Sequence, residues 1–117
     1  MINQRKVYLY KWAGEKEFGG VALDCHMHKD RLSGENQLWF DATGRGHMIK
    51  GEIARETPDG FVFRSDGFKP GEWTFKELTI EDFRRKYYKL VGTGEAIAAK
   101  ITTTEDLHEW FRKQFGE

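Results

Sequence analysis

From Phe18 to Lys29 the chain reads FGGVALDCHMHK, and its residues alternate in character along the stretch. Val21, Leu23, Cys25 and Met27 occupy one parity, while Ala22, Asp24, His26 and His28 occupy the other. Successive side chains of a strand point to opposite faces, so this spacing predicts a strand with an apolar side and a polar side. A helix would scatter both sets around its axis. The segments on either side must therefore supply pairing partners for a sheet.

They carry the matching signals. Lys6–Trp12 alternates, with Tyr8, Tyr10 and Trp12 on one face, and Ala13–Lys16 reads as the following turn. Gly19-Gly20 permits a bulge or a close backbone approach at the entry to the central strand. Asn36–Asp41 and His47–Arg55 read as strands joined through Thr43-Gly44-Arg45-Gly46. Thr57-Pro58-Asp59-Gly60 is the clearest turn, because proline presets the first turn dihedral and glycine tolerates the left-handed position. It joins the preceding strand to Phe61–Ser65 as a hairpin. Asp66–Glu72 reads as a surface loop and Trp73–Leu78 as the last strand of the β region.

The period then changes. Thr79 caps a predicted helix from Ile80 to Val91, which Gly92 stops; the rival reading makes Lys86–Val91 a strand. Ile97, Ala99 and Ile101 alternate, so Glu95–Ile101 is read as a strand despite its helix-forming composition. Thr103 or Thr104 caps a final helix that runs to about Phe115. Strands first and helices last predict one α+β domain over residues 1–117. Its architecture is a curved antiparallel sheet of about six strands, or a partly closed barrel, with C-terminal helices packed on one face.

Charge narrows the function classes. Nineteen Lys and Arg balance nineteen Asp and Glu, which argues against a partner recognised through its phosphates. The start of the chain lacks the apolar run of a signal peptide, and no stretch reaches the length of a membrane span, so no membrane association and a cytoplasmic location are expected. The single cysteine rules out an intrachain disulfide. Four Trp, four Tyr and nine Phe make up 15% of the chain, more large rings than a modest core readily hides. Some of them should line a pocket or an interface.

Three constellations could carry function. Tyr8, Tyr10 and Trp12, with Trp39 on another strand, form the aromatic surface expected to bind a ligand or a second subunit. Interleaved with Arg5, Lys6 and Lys11, the first three could also stack the bases of a single strand, a role the zero net charge disfavours. Asp24, His26 and His28 share a strand face; the two imidazoles could chelate a divalent metal, with His47 as a further ligand, or serve acid–base chemistry in a small enzyme. That face is equally well explained as the wetted side of a strand. Cys25 falls on the apolar face and reads as core. Arg84-Arg85-Lys86 pairs with Glu81 and Asp82 at helical spacing and reads as a solvated helix face. The first expectation is therefore a non-catalytic binding or interaction module, a homodimer or a receptor for a small apolar ligand or protein partner, with no cofactor. The metal-dependent or histidine-based enzyme and the single-strand binder are its alternatives.

Overall fold

The computed structural model of the protein describes residues 2–66, 70–87 and 94–116. Its six strands are β1 (Tyr8–Trp12), β2 (Gly20–Lys29), β3 (Asn36–Ala42), β4 (Arg45–Thr57), β5 (Gly60–Ser65) and β6 (Gly71–Glu77). They follow one another around a closed antiparallel barrel. β1 completes the ring on β6, from Tyr8 opposite Glu77 to Trp12 opposite Trp73. Closure removes the exposed sheet edges that a six-stranded open sheet would carry.

Two strands turn the corners. β2 pairs with β1 through Gly20–Ala22 and with β3 from Leu23 onward. β4 pairs with β3 through Arg45–Lys50 and with β5 from Gly51 onward. At each corner the backbone departs from regular strand geometry: Asp24 has φ 58°, and Gly51 has φ 149°. The pairing register shifts between Leu23 and His26, a bulge that inserts one unpaired residue and bends the strand.

That bulge corrects the predicted face assignment of β2. Simple alternation puts Val21, Leu23, Cys25 and Met27 together. Instead Ala22 and Cys25 enter the barrel interior, while Val21 and Leu23 face outward. An extra residue shifts a period-2 pattern by one, so every side chain on one side of it changes face.

The core is accordingly double. Inside the barrel, Tyr8, Phe40, Phe61, Phe63 and Phe75 pack with Ala22, Cys25 and Leu38. Outside it, Val7, Leu23 and Leu78 cluster with Phe83, Ala98, Ile101, Leu107 and Phe111 from the C-terminal part of the chain. Tyr8 and Val7, adjacent in sequence, thus anchor the two clusters.

The C-terminal part begins with α1 (Ile80–Asp82), capped by the Thr79 hydroxyl, and passes into a wider π-type turn over Phe83–Tyr87. The predicted continuation to Val91, the Gly92 stop and most of the rival strand lie outside the described residues. The strand read into Glu95–Ile101 is a helix, α2 (Glu95–Lys100). Alanine-rich composition prevails over a three-residue alternation; Ala98 reaches the outer cluster from the helix and Ile101 from the extended residue that follows it. α3 (Thr104–Gln114) starts on a capping box in which the Thr103 hydroxyl accepts the Asp106 N–H and Asp106 accepts the Thr103 N–H. The backbone N–H of Thr102 and the Thr103 hydroxyl hold the Asp106 carboxyl below its usual range. Arg85 pairs with Glu81 at 2.7 Å, as the helical spacing predicts. Among the described residues no helix is long and apolar enough to cross a membrane.

Candidate ligand-binding site

The candidate site lies beside the corner in β4. The Asp66 N–H donates to the Lys50 carbonyl, so the Lys50 backbone faces β5 rather than β3. Alternation turns Gly46 and Met48 the same way. The turn at Thr43-Gly44, where both residues have positive φ, fixes the phase from the other end by closing on Ala42 and Arg45. Among the described residues, β5 takes up pairing only at Gly51. Among the described residues, Gly46–Lys50 pairs with β3 alone.

Beside this stretch lies a cleft of about 750 Å³. Tyr10, Phe40, Ile49 and Trp73 supply apolar walls, and Glu15, His47 and Lys50 supply polar ones. The volume falls in the range of small-molecule sites, which are mostly apolar with a few placed polar groups. The rings are held by one another. Tyr10 packs on Phe40 (5.3 Å), Phe75 (5.7 Å) and Trp73 (6.2 Å), and His47 stacks on Phe40 at 5.4 Å. Burial, with a smaller push from Glu15, raises the Tyr10 hydroxyl above its ordinary value and keeps it protonated. Nδ1 of His47 lies 3.0 Å from the Arg45 carbonyl, which turns the ring. Lys50 meets Glu35 at 3.2 Å in a half-exposed pair that is weak in water.

Glycine shapes the rim. A Cβ on Gly20 would come within 2.4 Å of the Tyr10 ring, so the ring occupies space that only glycine leaves free. Gly46 faces open space. Two indole N–H groups, on the cross-strand pair Trp12 and Trp73, are buried without a hydrogen-bond partner among the described residues. An unpaired buried donor is costly, and here two stand side by side next to the cleft.

No known protein family, curated protein or solved structure matches this chain. The site therefore has to be read from its own geometry.

The structure distributes the predicted site residues differently from the sequence. Tyr8, Tyr10 and Trp12 do share a face, but that face is the barrel interior. Tyr8 is 2% exposed, its hydroxyl accepting the Asn3 N–H at 3.0 Å, so it is not at a surface where a base or a subunit could stack. Only Tyr10 of the three lines the cleft. Trp39 lies on the outer face, 39% exposed, its Nε1–H donating to Gln37 at 2.9 Å. His28 meets the edge of the Trp39 ring, and His26 places Nδ1 2.8 Å from the Asp24 carbonyl. The Asp24 carboxylate does not join them. Among the described residues no three His, Cys, Asp or Glu side chains come together as metal ligands. Cys25 is fully buried, and burial pushes its thiol far up, so it has neither the access nor the thiolate of a nucleophile.

Asp24 instead reaches the helix. Its two oxygens meet His108 at 2.9 Å and Arg112 at 2.5 Å, one turn apart on α3. The bulge that flips β2 also aims this carboxylate outward, and aspartate tolerates the left-handed backbone there better than most residues. Asp24→Ala is expected to lose roughly 1–2 kcal/mol, allowing for the partial exposure of the pair, because charge-assisted hydrogen bonds disappear. Asp24→Asn, which retains one acceptor and the backbone tolerance, is expected to lose about half as much. Urea unfolding of both variants checks the order.

Sequence reading missed Phe40, Ile49 and Trp73 as cleft residues. Trp73 was recoverable in principle, because it shares parity with Phe75 and lies across from Trp12 once β1 and β6 pair. Nothing in the sequence announces that pairing, whose partners stand about sixty positions apart.

Proposed function

We propose that this chain is a non-catalytic binding module that holds a small, flat, largely apolar ligand in the cleft at the β4 corner. One observation carries the reading: Tyr10, Phe40, His47 and Trp73 converge on a cavity beside β4. Aromatic walls give contact area at low entropic cost. The groups that can ionise there are Tyr10, Glu15, His47 and Lys50, a set suited to orienting a ligand at the rim. The zero net charge and apolar interior favour a neutral or singly charged ligand over a polyanion. The cytoplasm remains the expected setting. Homodimerisation rests on one separate observation, the neighbouring exposed Trp39 and Met48 on the outer face.

The test uses 1-anilinonaphthalene-8-sulfonate as a fluorescent probe and His47→Ala as the variant. His47 lines the cleft, stacks on Phe40 and is exposed. The variant should therefore fold as the parent does, with a nearly unchanged melting temperature. The parent is expected to bind the probe, and His47→Ala to weaken binding about three- to tenfold through the loss of one aromatic wall. Equal binding by both proteins, or none by the parent, would overturn the reading.

A further inference from the structure

Charge is unevenly placed around the cleft. Among the described residues its lining carries one acid, Glu15, and two bases, His47 and Lys50. Lys50 borders the cleft from the strand, but its register opposite Gln37 puts its side chain on the outer face of β4, with Met48. Its ammonium meets Glu35 at 3.2 Å, so that charge is answered outside the cleft. Glu15 has no such partner: no Lys or Arg pairs with it among the described residues. A bond from its N–H to the Trp12 carbonyl (2.8 Å) folds the chain back over the end of β1. One carboxylate oxygen stands 3.6 Å from where a Cβ on Gly19 would be. The charge is near enough to Tyr10 to add to the effect of burial on its hydroxyl. Of the rings lining the cleft, Tyr10 and Trp73 stand 6.2 Å apart, inclined at 36°. Both are half-buried, whereas Phe40 is 4% exposed. The Trp73 Nε1–H is buried and so cannot reach an anion in the cleft.

We infer that the cleft selects a singly charged organic cation, of the N-alkylated aromatic ammonium class, held against Tyr10 and Trp73 with Glu15 as its counter-charge. This rests on the binding role proposed above and names the ligand's class. Two attractions act in the same direction. The ring of a Trp or Tyr carries a negative face that draws a cation, most strongly one that sheds water easily. A carboxylate that no protein cation answers draws the same charge and repels an anion. A metal ion would lose its hydration there without gaining ligands, since among the described residues no three His, Cys, Asp or Glu come together. A cation whose charge is spread over an apolar frame loses little water and keeps the contact with the rings.

Displacement of 1-anilinonaphthalene-8-sulfonate tests this at about pH 8, where an ordinary imidazole is neutral. The competitors are N-methylquinolinium, uncharged quinoline and anionic 1-naphthoate, all flat two-ring frames. The cation is expected to bind at least about threefold tighter than quinoline, and 1-naphthoate more weakly than either. Glu15→Gln removes the charge and keeps the shape of an exposed side chain. It should weaken N-methylquinolinium about two- to fivefold, tighten direct binding of the anionic probe by a similar factor, and leave quinoline unchanged. Glu17→Gln, at an exposed acid that does not line the cleft, is the control and should move none of them. If quinoline or 1-naphthoate binds as tightly as the cation, the cationic ligand is refuted while the binding role stands. The same holds if Glu15→Gln shifts cation and anion alike, or neither. If the probe does not bind the parent protein, the binding role itself fails.

Discussion

Phe75→Ala is expected to destabilise the protein by about 3–5 kcal/mol, a large share of the total stability of a domain this size. Phe75 is fully buried at the centre of the barrel. Its ring stacks on Phe61 at 4.7 Å and 7°, meets Phe40 edge-on at 5.6 Å and lies 5.7 Å from Tyr10. Removing it leaves a cavity that the surrounding rings, held in a closed barrel, can only partly fill. The same ring supports the cleft from below, because both Phe40 and Tyr10 rest on it. Ligand binding should therefore weaken along with stability. Phe75→Leu, which keeps most of the volume, is expected to cost about 1.5 kcal/mol or less. Equilibrium unfolding in urea separates the two variants. A loss below about 1 kcal/mol for alanine would mean that the interior is not packed as described.

Gly51→Ala is the second large effect. Gly51 sits where β4 leaves β3 for β5, with φ 149°. A methyl group there would come within 2.0 Å of the Arg64 carbonyl oxygen. Backbone strain and overlap each cost about 1–3 kcal/mol, and the overlapping atom belongs to a paired strand that cannot swing aside. The expected result is a fall in melting temperature of at least about 10 °C. Gly46→Ala, five residues earlier and in open space, is the control and should leave it unchanged. If the two variants melt together, the corner is not where β4 changes partners.

The contrast between these glycines shows what could be read from the sequence. The strands were legible because alternation and turn chemistry are local: Tyr8–Trp12, the hairpin closed by Thr57 and Gly60, and the capped helix at Thr103 all sit where their residues place them. Barrel closure was only one of two readings, since it depends on β1 meeting β6. The bulge at Asp24 was not legible. Its effect is a change of phase, and an uninterrupted pattern such as Val-Ala-Leu-Asp-Cys-His carries no mark of it. That one residue accounts for the reversed faces of β2. It also explains why Asp24 holds His108 and Arg112 instead of joining His26 and His28. The aromatic surplus did signal a cavity, yet it pointed to the Tyr8–Trp12 surface as a whole. Only Tyr10 borders the cleft, because Tyr8 lies deeper in a barrel that closes over it. The α2 segment failed for the opposite reason, a short alternation outweighed by composition.

The most direct measurement of the central claim is a proton–nitrogen correlation spectrum of the uniformly ¹⁵N-labelled protein, titrated with 1-anilinonaphthalene-8-sulfonate. The four tryptophans supply four indole signals, and they sample distinct places. Trp73 lines the cleft, Trp110 lies on α3, Trp12 pairs with Trp73, and Trp39 lies on the outer face. The predicted result is a saturable shift at Trp73, with the amides of Gly19, Gly20 and His47 moving alongside and Trp39 fixed. Shifts confined to Trp39 and its neighbours His26 and His28, or no saturable shift at all, would contradict it.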